Sequence, residues 1–215
     1  MEVQSMKIKK PAVPVLPQLV QTDFISLEDE TIIEGLALKE QDLSYQDVRN
    51  LVFRECHFNK LTMNRNRLER FECSNVIFEH CDFSNSEWIG ASFHQVHFRQ
   101  CKLTGTNFAE SYLRDCTFED CLADYASFSA TNQKVVHFNQ SSLNDTEFVE
   151  VVWNNLLFEE CSLTGSNWFH TMLKELDLRK STFEKIAFSQ ELIRGLKVTT
   201  EQAVIIAAGL GLSIE

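Results

Sequence analysis

Residues 78–98 read Phe78-Glu-His-Cys-Asp-Phe83-Ser-Asn-Ser-Glu-Trp88-Ile-Gly-Ala-Ser-Phe93-His-Gln-Val-His-Phe98, with an aromatic residue at every fifth position. Working outward, Phe58, Phe78, Phe98, Phe118, Phe138 and Phe158 stand twenty residues apart, and Leu103, Phe108 and Leu113 continue the step of five. An α-helix repeats near 3.6 residues and a flat strand at 2, so neither sustains a period of five. A fixed short period marks a repeat architecture.

From Leu38 to Phe188 the five-residue register has 31 centres, of which 30 are apolar and 17 are Phe or Trp. Composition alone predicts about 14 apolar centres. The exception is Gln133, either a satisfied buried amide or a local distortion in Thr131-Asn132-Gln133. Two residues before each centre lies a second, uncharged set, mostly small: Cys56, Leu61, Val76, Cys81, Ser86, Ala91, Val96, Cys101, Thr106, Ser111 and onward to Ile186. One large and one small inward position per five describe a chain that turns a corner every five residues. Four corners close a square coil in twenty residues, and each centre then lies over the one twenty earlier. At strand spacing, about eight coils make a solid rod of ~38 Å. No insertion interrupts the register, which predicts no long loop leaving the rod.

Seven cysteines without CxxC or CxxH spacing indicate neither a disulfide framework nor a zinc site. Six occupy the small inward position and Cys73 is a centre, so all are expected buried and inert.

The chain has 215 residues, is 44% hydrophobic and carries a net charge of −11. That charge disfavours direct binding to nucleic acid and to anionic membranes. No apolar run reaches the ~18 residues that span a bilayer. Lys7, Lys9 and Lys10 ahead of an apolar stretch loosely resemble a signal peptide, but Pro11, Pro14 and Pro17 break it, and a cytoplasmic location is expected. Residues 1–32 are non-repetitive and read as an extended arm lying against the end of the repeat body, 33–193 as the coil, and 194–215 as a capping tail. In that tail Thr199 to Gly209 reads as a helix with a Thr N-cap and a terminal Gly, and Leu210 to Glu215 alternates like a strand. The apolar surface of this tail exceeds what one coil end requires. Val204, Ile205, Ala208, Leu210, Leu212 and Ile214 are therefore expected to join a second copy.

No enzyme motif appears, and no metal or cofactor is expected. His57, His97 and His137 share an outward column two coils apart, too far to share a metal, and read as surface residues. The acidity is local: residues 101–175 hold eleven acids and four bases, so −7 of the −11 lies there. Glu119-Asp120 and Glu159-Glu160 stack on one corner, and Glu110 and Glu150 stack half a coil away.

Units such as Cys101-Lys-Leu-Thr-Gly, Thr106-Asn-Phe-Ala-Glu, Ser111-Tyr-Leu-Arg-Asp, Cys161-Ser-Leu-Thr-Gly and Ser166-Asn-Trp-Phe-His resemble the pentapeptide-repeat pattern A(D/N)LXX over residues 33 to 193. The resemblance implies an all-β, right-handed quadrilateral β-helix with a short C-terminal helix and strand. The ending Thr199 to Glu215 is similar to the dimerisation tail of the quinolone-resistance (Qnr-type) subgroup. That likeness implies a tail-to-tail homodimer that mimics DNA, binds DNA gyrase and topoisomerase IV, and protects them from quinolones. Members with projecting loops use them in protection, and this unbroken register has none. The acidic partner-binding surface would comprise Glu110, Asp115, Glu119, Asp120, Asp124, Asp145, Glu147, Glu150, Glu159 and Glu160. The alternative is a scaffold for an unrelated protein partner.

Overall fold

A computed structural model describes residue 12 and residues 14–213. The elements are β1 (Val20–Thr22), β2 (Ile32–Glu34), β3 (Leu36–Asp42), β4 (Asp47–Arg49), β5 (Val52–Thr62), β6 (Arg67–Glu69) and β7 (Glu72–Glu79), then β8 (Ser92–Arg99), β9 (Tyr112–Glu119), β10 (Asn132–Asn139), β11 (Val152–Glu159), β12 (Asn167–Trp168), β13 (Ala187–Phe188) and α1 (Thr200–Gly209). The main sheet runs β1-β3-β5-β7-β8-β9-β10-β11, with β2 also on β5. From β3 to β11 its parallel partners stand twenty residues apart, as in Phe98↔Phe118 and Phe118↔Phe138. Isolated bridges from Thr62↔Asp82 to Ser162↔Thr182 keep the same offset on the other faces, and Asp177↔Lys197 extends it. The chain is a parallel β-solenoid of about eight turns.

Two kinds of corner close each coil. At Phe83 and Trp88 the chain makes tight turns, closed by bonds from Ser86 N to the Phe83 carbonyl and from Ala91 N to the Trp88 carbonyl, both 3.1 Å. Past Phe93 the strand β8 continues to Phe98 and bends at Gln95, whose φ is 52°. Left-handed residues recur at every fifth position, Glu110, Asp115, Asp120, Asp145, Glu150 and Glu160 among them. Asn and Asp tolerate this region best among residues with a Cβ.

The core is a set of ring columns. Phe98 and Phe118 stack at 4.8 Å and 6°, and Phe118 on Phe138 at 4.6 Å and 11°. Neighbouring columns meet edge-on, as Phe118 and Phe128 do at 85°. Burying each ring stabilises the fold by about 1.5–3 kcal/mol. The small inward position has its own chemistry. Its side chain donates to the carbonyl 23 residues earlier: Thr106 Oγ1 to Phe83 at 2.9 Å, Ser111 Oγ to Trp88 at 2.9 Å, Cys101 Sγ to Phe78 at 3.4 Å. Cys, Ser and Thr suit the site because each fits the gap and carries a donor that satisfies itself.

Gln133 is buried, donates from Nε2 to Thr131 Oγ1 at 3.0 Å, and pairs in register with Leu113 and Trp153. It marks no bulge, although its Oε1 is buried without a partner. The departure comes one coil later. Trp153, expected to be sealed inside, is only partly buried, and its indole N–H donates to the Met172 carbonyl at 2.8 Å. In the next coil Leu173 is buried and opens a tight turn, with Leu176 N bonded to its carbonyl at 3.1 Å. The extended corner of the earlier coils is thus replaced by a tighter path. Among the described residues no strand pairs with the far side of β11.

At the other end β1 adds to the sheet in register Val20↔Leu36. Ahead of it the chain climbs one face, and Ala12 N donates to Asp115 Oδ1 at 3.4 Å. Residues 1–11 and 13 of the expected arm lie outside the described residues.

Helix α1 has a complete capping box: Gln202 N donates to Thr199 Oγ1 at 3.3 Å, and Thr199 N to Gln202 Oε1 at 2.9 Å. The Gln202 Nε2 also donates to the Leu178 and Ser181 carbonyls at 2.9 and 2.7 Å, which pins the helix over the last coil with Ile206. Gly209 is still helical. The left-handed residue is Gly211, φ 85°, and bonds from Gly211 N to Ala208 and from Leu212 N to Ala207 complete a Schellman stop. The expected strand over 210–215 is not formed in residues 210–213, where a turn is followed by irregular chain. The backbone there is committed to the helix stop. Ile214 and Glu215 lie outside the described residues.

Candidate interaction surfaces

The coil has four faces, and the twenty-residue register assigns each carboxylate to one of them. Glu119 and Glu159 end β9 and β11 of the main sheet, with Asp120 and Glu160 at the corner that follows; Asp124, Asp145 and Glu147 stand along the bridge-paired faces; Glu110 and Glu150 stand at the corner before the sheet strands; and Asp115 stands at the bend within β9. The ten residues of the expected acidic surface are therefore not brought into one patch. Stacked pairs two coils apart are separated by about 10 Å.

Their environments differ. Glu119 Oε2 accepts from His97 Nε2 at 3.0 Å and from Arg99 Nε at 3.2 Å. Glu159 Oε2 lies 3.0 Å from His137 Nε2, and Lys180 Nζ donates to its other oxygen at 2.5 Å. One turn pair lower, Glu79 Oε2 sits 3.4 Å from His57 Nε2 and accepts from Asn59 Nδ2 at 3.0 Å. Desolvation would raise the Glu79 pKa, but Asn59, His57 and Arg99 hold it below the usual value. Of the three histidines expected on the surface, His97 and His137 are instead tucked beneath carboxylates, their side chains only 13% and 10% exposed, whereas His57 keeps 34% of its side chain exposed. Burial lowers the His97 pKa, with help from Arg99 and against the pull of Glu119. The signal for this ladder was present in the sequence, because His57, His97 and His137 each precede a glutamate by 22 residues.

Asp124 accepts from Ser142 Oγ at 2.6 Å and from Asn144 N at 2.9 Å, and Glu147 from Asn167 Nδ2 at 2.7 Å. Asp145 faces Lys185 Nζ at 3.9 Å, and Asp115 faces Arg114 Nε at 3.5 Å. Glu160 accepts from the Gln140 amide Nε2 at 3.2 Å and lies within electrostatic reach of Lys180. For Glu110, Asp120 and Glu150 no ion pair is present among the described residues.

Charge reading by sequence block missed a segregation. Of the four bases in 101–175, Arg114 and Lys134 stand on one column of the main sheet, and Lys174 lies in the next coil beyond Asn154. His94, Arg114 and Lys134 are direct neighbours in register.

In the tail Val204, Ala208, Leu210 and Leu212 are exposed and Ile205 is partly buried. Phe169, 45% exposed, lines a groove with Ile186, Phe188, Gly209 and Leu210. The seven cysteines are free and buried. No group of three or more metal-ligating side chains occurs among the described residues, and no helix there is long and apolar enough to cross a membrane.

Unbroken twenty-residue coils, paired inward positions and ring columns define a class, the quadrilateral parallel β-solenoid. More particularly, the fold is a pentapeptide-repeat β-helix: residues 91–168 match the family model described as Pentapeptide repeat region. No curated protein matches the chain. Among solved structures, HetL, a pentapeptide repeat protein involved in heterocyst differentiation regulation from the cyanobacterium Nostoc sp. strain PCC 7120, is similar with a TM-score of 0.58 at 14% identity, over 79% of this chain and 87% of that chain. Full-length QnrB1, a plasmid-mediated fluoroquinolone resistance protein, is similar with a TM-score of 0.37 at 19% identity, over 89% of this chain and 95% of that chain.

Proposed function

We propose that this protein is a non-catalytic, DNA-mimicking rod that pairs through its C-terminal tail, binds a type II topoisomerase (DNA gyrase or topoisomerase IV), and protects it from quinolones. The observation that carries this reading is the placement of Glu110, Asp120, Glu150 and Glu160. They project from left-handed corners, none within ion-pair distance of a base among the described residues, and the two members of each pair, Glu110 with Glu150 and Asp120 with Glu160, stand two coils apart along the rod. A surface that binds DNA is basic and meets regularly spaced negative charge, which such corners supply. The exposed tail residues Val204, Ala208, Leu210 and Leu212 support pairing, and tail-to-tail symmetry would bring the acidic blocks of two rods together. The test is a gyrase supercoiling assay with a fluoroquinolone and added protein. Rescue or inhibition at micromolar protein is expected, and neither effect would sink the reading.

A second reading, a scaffold for an unrelated protein partner, is favoured by one observation: the main sheet face bears a cationic column that a DNA mimic does not need. A pull-down whose main catch is not a topoisomerase would select it.

A further inference from the structure

The two edges of the main sheet are finished differently. At one edge β1, an extended segment from outside the repeats, adds as an extra parallel strand on β3. Ahead of it Ala12 N donates to Asp115 Oδ1 at 3.4 Å, and the added strand itself pairs from Val20 to Thr22. At the opposite edge β11 has no strand on its far side among the described residues. The change of corner type in the next coil leaves a groove of about 540 Å³ there, lined by Val152, Trp153, Asn154, Met172, Lys174 and Glu175 among others. Its floor is apolar: Val152 is 65% and Met172 59% exposed.

The charge around this groove is unusual for the molecule. Lys134 is paired in register with Asn154 one coil before the groove, and Asn154 and Lys174 both line it. Both lysines are exposed, and no ion pair to either is present among the described residues. Glu175 is engaged by Lys197 at 2.9 Å, which leaves Glu150 as the groove's other carboxylate. A sheet edge offers main-chain hydrogen bonds, and flanking pockets choose alternate side chains of an added strand. Apolar Trp153 and Met172 would take one side of such a strand, and Lys134 and Lys174 would select carboxylates on it.

We infer that the open edge of β11 is a docking site for an extended, acidic peptide segment of a protein partner, bearing aliphatic residues that seat against Trp153 and Met172. The partner adds as the next strand, as β1 does at the other edge. The inference is independent of topoisomerase binding and needs neither the acidic corners nor the tail.

The test uses the full chain and a fluorescein-labelled, capped peptide of about nine residues alternating valine and aspartate, long enough to cover one strand. Anisotropy measures affinity, and tryptophan emission locates the site, because Trp88 and Trp168 are sealed in the core while Trp153 is not. Saturable binding with a change in emission is expected, weakened at least about tenfold by Lys134→Glu with Lys174→Glu, both surface changes that leave the core intact. Equal binding of a valine–lysine peptide, unchanged affinity in the double variant, or binding without an emission change would overturn the site. So would no binding at millimolar peptide, or preferential capture of a single-stranded oligonucleotide.

Discussion

His97 Nε2 lies 3.0 Å from Glu119 Oε2, on a side chain 22 residues further along the sequence and one coil further along the rod. The contact recurs at 3.0 Å in His137–Glu159 and at 3.4 Å in the more exposed His57–Glu79, so histidines that the sequence places outward form a ladder of pairs with the glutamates of the next coil.

The ladder gives an acid sensitivity. Burial lowers the folded-state pKa of His97, with Arg99 adding to it. The unfolded chain then binds more protons than the folded one as pH drops below the unfolded value near 6.5. This contribution to stability is complete above that value and is lost as pH falls through the folded pKa. His97→Gln should therefore reduce the loss of stability between pH 7 and pH 5, measured by urea denaturation at each pH. An unchanged difference would show that His97 titrates freely.

The thiols should be silent. Burial pushes the Cys116 pKa up to about 12 and the Cys161 pKa up to about 11, while Cys73 and Cys101 are raised well above the ordinary value. Thiolate is the reactive form. Iodoacetamide at pH 8 should label none of the seven in the native protein and all of them in denaturant, read by intact mass.

Charge reversal should separate the acidic residues by environment. Asp120→Lys with Glu160→Lys removes unpaired corners and should weaken topoisomerase protection about tenfold or more, with a smaller salt dependence. Glu119→Gln with Glu159→Gln breaks the ladder, and should instead lower the unfolding midpoint in denaturant with less effect on protection. Equal loss of protection in both double variants would argue against the corner carboxylates as the contact.

The tail should control assembly. Deleting residues 203–215 is expected to give a monomer by light scattering where the full chain gives a dimer. Because Ile206 and Gln202 anchor α1 to the last coil, Leu210→Asp with Leu212→Asp is the cleaner variant. It alters exposed positions and should dissociate the dimer without changing the unfolding midpoint at high dilution. A full-length monomer would refute the tail reading.

Within the core, Phe118→Ala removes a ring stacked on both Phe98 and Phe138 and should cost about 3–5 kcal/mol, read from the shift of the denaturation midpoint.

The sequence by itself determined the coil. Phe98, Phe118 and Phe138 recur at twenty because only one closure of the chain places a large side chain over its predecessor at every turn. The five-residue alternation of large and small inward residues then leaves no freedom in register. It also determined which residues point outward, and hence the faces of Asp120 and Glu160. Only the tertiary structure decided what each outward residue meets. Glu119 and Asp120 are adjacent in sequence, yet one is locked to His97 and Arg99 and the other is without an ion-pair partner among the described residues, because contacts between coils depend on side-chain reach across about 5 Å rather than on period. The same holds at the ends. Trp153 obeys the period of five and still leaves the sealed core, because the following coil turns more tightly at Leu173. That change of corner, set by packing between neighbouring coils, is what opens the edge of β11.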